Sequence, residues 1–320
     1  MSALEYIQQA IAALDWEREP RGLYEPVAYT LQAGGKRLRP ALAVIASDMF
    51  GGRREEVLPA ALALEVFHNF TLLHDDVMDK APIRRGRPTV HVRWNENTAI
   101  LSGDQMLIEA YRLLTEVPAG KLPAVLRLFN RMATGICEGQ QYDMDFERRD
   151  DVTLDEYINM IRLKTSVLLA NALQTGALIA GAPEETQQAL YRYGICIGLA
   201  FQLQDDILDV YGDPATFGKA IGGDILEGKK TYMLLTALQQ AEGEDREQLL
   251  RLLGDRHADP QKKISDVTAI YTRLGVRRTC EEVMKNYTQQ ALAELDLIDL
   301  PHERKLILIN LAEKLLARTE

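Results

Sequence analysis

Two acidic patterns stand 130 residues apart, Asp75 to Asp205. The first, Leu-Leu-His-Asp-Asp-Val-Met-Asp, carries Asp75, Asp76 and Asp79. The second, Phe-Gln-Leu-Gln-Asp-Asp-Ile-Leu-Asp, carries Asp205, Asp206 and Asp209. Both lie in apolar runs of helical character, where residues four apart share a face. Asp75 therefore aligns with Asp79, and Asp205 with Asp209. Like charges at that spacing destabilise a helix by roughly 0.2–0.5 kcal/mol per pair, and carboxylates turned toward an apolar core cost far more. Cations offset that cost. Hard carboxylate oxygens are the ligands that divalent magnesium prefers.

Basic groups accompany both patterns in a chain whose net charge is −10. Gly34-Gly35-Lys36-Arg37-Leu38-Arg39-Pro40 precedes a helix, Arg84-Arg85-Gly86-Arg87-Pro88 follows the first aspartates, and Gly218-Lys219 and Gly228-Lys229-Lys230-Thr231 follow the second. Lys164-Thr165 lies within a helical run. Glycine beside lysine or arginine lets backbone and side chain approach a phosphate together. Arginine binds it bidentately, and lysine acts as a point charge. A basic loop by itself is ordinarily solvated surface. Two acidic helices, each followed by basic glycine loops, point to metal-bridged diphosphate binding. His68 is seven residues before Asp75 and roughly shares its face, which favours a site role over a core histidine. Gln202, three before Asp205, is placed similarly.

These residues need helices to carry them. The chain has 320 residues, 47% hydrophobic and 26% charged, ordinary for a globular protein. Helical periods run over 57–78, 96–117, 123–144, 184–211, 229–241, 244–253, 260–274, 276–295 and 301–318. Thr153-Leu-Asp-Glu156 is a capping box that starts a further helix reaching to about residue 180. Strand–helix alternation is absent, and the β-like piece at 89–92 is too isolated to build a sheet. The expectation is an all-α single domain over 1–320, with loops at 20–22, 50–54, 80–95, 145–152, 212–228 and 254–260 and no interdomain linker. The stretch 165–183 carries no charge and is long enough to span a bilayer. Its Ser166, Asn171, Gln174 and Thr175 favour a buried helix instead. The acidic balance argues against nucleic acid as partner. Cys137, Cys196 and Cys280 follow no metal spacing, and the N-terminus has no signal-peptide pattern, so a cytoplasmic location without a membrane anchor is expected.

From residue 30 to about 235 the ordered segments resemble the motifs of the trans-isoprenyl diphosphate synthases. They are Gly-Gly-Lys-Arg-Leu-Arg-Pro, His-Asp-Asp-Val-Met-Asp, Arg-Arg-Gly-Arg-Pro-Thr-Val-His, Gly103-Asp104, Lys164-Thr165, the second aspartate motif and Gly-Lys-Ala-Ile-Gly-Gly-Asp. The resemblance implies an isoprenoid-synthase-like bundle of ten or more helices around a central cavity, usually as a homodimer. It implies magnesium, three ions per active site with substrate bound, on Asp75, Asp79 and Asp205, with Asp76, Asp206 and Asp209 in support. It assigns the allylic diphosphate to Arg84, Lys164, Thr165, Gln202, Lys219 and Lys229, and isopentenyl diphosphate to Lys36, Arg39, His68 and Arg85. The implied reaction is ionisation of the allylic C–O bond, condensation and proton loss. Asp75, Asp79, Asp205, Arg84 and Lys164 carry the chemistry.

Product length should depend on residues one turn or more before Asp75. Phe70, five positions upstream, is the expected cavity floor, with Thr71 and Phe67 beside it. In the family this pattern resembles the archaeal-like geranylgeranyl synthases, with the fifteen-carbon farnesyl product as the alternative and ordinary core packing as the bland reading of Phe70. A terpene cyclase would usually replace the second aspartate motif. A non-catalytic synthase subunit tends to lose one of the two, and a ferritin-type protein needs Glu-x-x-His ligands not found here. Small-residue segments at Ser102-Gly103 and Ala133-Thr134-Gly135 are the expected dimer-packing faces.

Overall fold

The computed structural model describes residues 1–213, 221–255 and 257–317. Among these the regular structure is helical apart from one two-stranded hairpin, which establishes the all-α class. The chain divides into two compact units, Met1–Asn130 with Asn171–Leu190, and Arg131–Ala170 with Tyr191–Glu320.

The first unit contains α1 (Ala3–Ala12), α2 (Arg21–Gln32), α3 (Leu38–Met49), α4 (Arg54–Met78), α5 (Val90–Arg93) and α6 (Glu96–Leu114). It also takes the start of α7 (Leu122–Phe146), the end of α9 (Val167–Ile179) and the start of α10 (Glu184–Tyr211). A capping box between Ser2 and Glu5 starts α1, a signal the helical-period reading passed over. Packed by α3 and α6, α4 buries Val57, Leu62, Leu64, Val66, Phe67 and Leu73. Each such side chain contributes about 1.5–3 kcal/mol relative to exposure. By length and composition α4 could also cross a membrane, but 61% of its apolar window is buried inside the fold.

The expected loop at 80–95 has internal structure. Strands β1 (Ile83–Arg84) and β2 (Arg87–Pro88) pair antiparallel, Ile83 opposite Pro88. Residues 90–93, partly expected as β-like, form the short α5 instead. The Thr89 hydroxyl donates to the Ala81 carbonyl at 2.7 Å, closing the hairpin, and the Tyr29 hydroxyl donates to the Pro88 carbonyl at 2.8 Å.

The second unit takes the rest of α7, α9 and α10 with α8 (Leu154–Ile161), α11 (Gly223–Glu227), α12 (Tyr232–Gln240), α13 (Gly243–Gly254), α14 (Pro260–Arg273), α15 (Val276–Asp296) and α16 (His302–Ala317). The Thr153–Glu156 capping box is present. The single helix expected from it is interrupted, because residues Arg162–Ser166 form a π-helical turn between α8 and α9. Close backbone approach explains why the turn fits. A Cβ on Gly139 of α7 would stand 2.4 Å from the Lys164 nitrogen, and one on Gly198 of α10 would stand 2.6 Å from the Ser166 Cα. After the turn, residues 167–179 are all buried, as expected for a core helix.

Candidate active site

In the first unit, α4 delivers Phe67, His68, Phe70, Thr71, Asp75 and Asp76 along its length, and Asp79 caps its C-terminus. The hairpin returns Arg84 to the aspartates. Arg84 Nε donates to Asp76 Oδ1 at 2.6 Å, and its Nη2 to Asp75 Oδ2 at 3.3 Å. Asp76 is buried, and burial raises its pKa against the lowering effect of Arg84. Asp79 is exposed.

Arg39 Nη1 lies 3.2 Å from His68 Nε2. Burial, then the charges of Arg39, Arg85, Arg84 and Arg37, push the His68 imidazole well below its ordinary value. The ring is therefore neutral. Arginine is only a donor, so Nε2 accepts from Arg39 and Nδ1 carries the proton. The Arg85 guanidinium donates to the Gly34 carbonyl. It also packs on Gly35, where φ is 131° and any Cβ would stand 2.9 Å from Arg85 Nη2, so glycine is required there. Lys36 is exposed on the same loop.

Phe70 is half-buried between Phe67 and His74, with ring centroids 5.5 Å and 4.7 Å away. Phe67 packs in turn on Phe129 at 5.1 Å. Thr71 donates to the His68 carbonyl at 2.8 Å. Of the segments expected to be dimer-packing faces, Ser102 and Gly103 are buried, Gly103 directly against the His74 ring, and Gly135 is buried against Leu163. Their small size serves internal packing. The exposed apolar groups of α6 are Ile100, Leu101, Ile108 and Tyr111.

In the second unit, a cavity of about 270 Å³ is lined by Lys164, Thr165, Gln202, Asp205, Asp206, Asp209 and Lys229. Lys219 lies outside the described residues. The Lys164 ammonium donates to Asp143 Oδ2 at 2.6 Å, and the Thr165 hydroxyl to Gln202 Oε1 at 3.3 Å. Asp206 sits deep in the wall. It accepts from the Tyr157 hydroxyl at 2.5 Å, the Tyr232 amide at 3.2 Å and the Gln202 amide at 3.4 Å. Burial still lifts its pKa to about 7. Asp209 accepts the Asp224 N–H at 3.1 Å. Asp143, Tyr157, Asp224 and Glu227 also line this cavity. Of these only Asp224 falls in a quoted motif, and only the fold brings the other three to the aspartates.

Magnesium is suited to these groups. Six acidic side chains face the cavity against two lysines. No three Asp, Glu, His or Cys side chains among the described residues form a ready-made cage. Magnesium is typically bound by one or two carboxylates completed by substrate phosphates and water, and paired aspartates meet that requirement.

Fold and paired motifs together are those of the all-α isoprenyl diphosphate synthases. Residues 20–271 match the polyprenyl synthetase family. The chain is 38% identical to the geranylgeranyl diphosphate synthase of Methanosarcina mazei, covering 98% of this chain and 95% of that one. A crystal structure of a geranylgeranyl pyrophosphate synthase superposes with a TM-score of 0.92 at 44% identity, covering 98% and 96%. A decaprenyl diphosphate synthase from Rhodobacter capsulatus gives 0.89 at 31%, covering 99% and 98%. The chain belongs to the polyprenyl synthetase family.

Proposed function

We propose that the protein is a short-chain prenyltransferase that condenses isopentenyl diphosphate with dimethylallyl, geranyl and farnesyl diphosphates and stops at geranylgeranyl diphosphate. The observation that carries this is the cavity of the second unit, where Lys164, Thr165, Gln202 and Lys229 accompany Asp205. An allylic diphosphate matches these groups, anion toward the lysines. Magnesium held by Asp75, Asp79 and Asp205 would supply positive charge to the departing diphosphate. Lys164 and Arg84 stabilise the same charge as the allylic C–O bond breaks. Asp76, Asp206 and Asp209 hold hydrogen-bonded positions beside the ligating carboxylates. Tyr157, Met160 and Ile161 supply a wall that limits water near the carbocation. Lys36, Arg39, His68 and Arg85 bind the second diphosphate, with neutral His68 donating from Nδ1. The isopentenyl double bond then forms the new C–C bond, and its C2 proton passes to the released diphosphate without an enzymic base.

The whole chain acts as one catalytic domain, with three magnesium ions per site when substrate is bound, in a cytoplasmic homodimer. The exposed apolar residues of α6 support the dimer, and the archaeal geranylgeranyl synthase relative supports the product. Incubation with magnesium, isopentenyl diphosphate and each allylic starter, followed by sizing of the dephosphorylated alcohols, tests the reading. A twenty-carbon alcohol, with farnesyl diphosphate accepted, is expected. A stop at fifteen carbons keeps the chemistry and moves the floor. No elongation from any starter refutes the activity.

A further inference from the structure

The loop that carries Lys36 and leads into Arg39 in the first turn of α3 turns on a buried ion pair. Arg37 between them adopts a left-handed conformation, φ 47°, which an arginine holds only when its surroundings compensate. Its guanidinium points inward, 8% exposed, and bonds both the Glu65 carboxylate and the Leu31 carbonyl. Glu65, 2% exposed on α4, also accepts from the Asn69 side-chain amide at 2.9 Å. That amide donates to the Glu65 carbonyl too, at 2.8 Å. A single buried carboxylate is thus fixed from its own helix by Asn69 and grips the loop through Arg37.

From this geometry we infer that Glu65, braced by Asn69, is a positioning residue for the anion site formed by Lys36, Arg39, His68 and Arg85. The inference rests on the assignment of those four groups to isopentenyl diphosphate. Arg37 pulled inward turns its neighbours: Lys36 is exposed, and Arg39 lies on His68, one turn of α4 from Glu65. The same loop offers the Gly34 carbonyl to Arg85. Releasing Arg37 therefore loosens several contacts of the anion site together.

Simple electrostatics makes the opposite prediction. Glu65 is a negative charge felt by both Arg39 and Arg85. If charge alone mattered, neutralising it would raise the local positive potential and tighten anion binding. A positioning role requires weaker binding, because charge-assisted bonds to Arg37 are lost and the buried guanidinium is left without its partner. The sign of the change separates the two.

The test uses Glu65→Gln and Glu65→Asp, with Asn69→Thr as a second route should Glu65→Gln fail to fold. Kinetics with each substrate varied in turn should show KM for isopentenyl diphosphate raised about tenfold in Glu65→Gln. KM for the allylic diphosphate should move less than about twofold, and Glu65→Asp should restore part of the loss. Calorimetric titration of inorganic pyrophosphate without magnesium should weaken in parallel, and Asn69→Thr should show the same pattern more mildly. Unchanged or tighter pyrophosphate binding overturns the inference, as does an equal rise in both KM values. Weakened pyrophosphate binding in a protein that makes no prenyl product would uphold the positioning role while the synthase reading fell.

Discussion

Neutral His68 among arginines makes acid a specific liability. An imidazole whose folded-state pKa lies below 6.5 binds fewer protons in the folded chain than in the unfolded one once pH falls beneath 6.5. Stability is therefore fully present above that value and declines as pH drops toward the folded pKa. Urea midpoints at about pH 7.5 and about pH 5.5 should differ by more in the wild type than in His68→Gln, which cannot titrate. Equal differences would mean the ring is not held neutral. Phe70 is the other residue whose role its neighbours define. Packed between Phe67, at a tilt, and the edge-on ring of His74, it is half-buried on the helix that leads to Asp75. Phe70→Ala should lengthen the prenyl product by at least one isoprene unit, read by chain-length analysis. An unchanged product would leave Phe70 as packing alone.

Among the elements, the π turn at Arg162–Ser166 matters most for the second cavity, because both Lys164 and Thr165 lie in it and line that cavity. Irregular turns of this kind recur at functional sites. Gly139 leaves it space, and the atoms a Cβ would meet are backbone, not a flexible side-chain tip. Gly139→Ala should therefore displace the turn and lower kcat about tenfold or more, as small misplacements of reacting groups do. Gly120→Ala, where nothing lies within 4 Å, should leave kcat unaltered. A Gly139→Ala enzyme with full activity would show that the turn tolerates movement. The hairpin of the first unit also acts by placement, since it turns Arg84 back onto Asp75 and Asp76.

For the whole molecule, the fold does not decide product length. A geranylgeranyl and a decaprenyl synthase superpose on it with TM-scores of 0.92 and 0.89. Length must follow from side chains that narrow or open a common frame. Association depends on surface. Leu101 and Ile108 are each 60% exposed on α6, and water-facing leucine and isoleucine at one helix spacing fit a self-complementary contact. If the proposed dimer forms through this face, Leu101→Arg should yield a monomer in sedimentation velocity, while Leu250→Arg, on α13, should leave the association state of the wild type. An association state unchanged by Leu101→Arg would remove this face of α6 as the contact.

Local rules acting within a few residues made much of this protein legible. Helical periodicity marked most of the long helices, the Thr153 box marked one start, and motif spacing marked both aspartate clusters and their basic companions. The same rules missed whatever depends on residues far apart in the chain. The π turn keeps the apolar pattern of an ordinary helix, so periodicity reads straight through it, and only packing against Gly139 and Gly198 reveals it. Ser102, Gly103 and Gly135 are small because something presses on them, and the sequence does not say whether that is a second subunit or this one. Asp143, Tyr157 and Glu65 have no motif of their own. Each matters through one bond to Lys164, Asp206 or Arg37, formed across 21, 49 and 28 residues. Residue types and spacing determined what kind of chemistry the chain carries. Tertiary structure alone decided which carboxylates are walled in and which loop is gripped from within, because desolvation and hydrogen bonding depend on neighbours that only folding brings together.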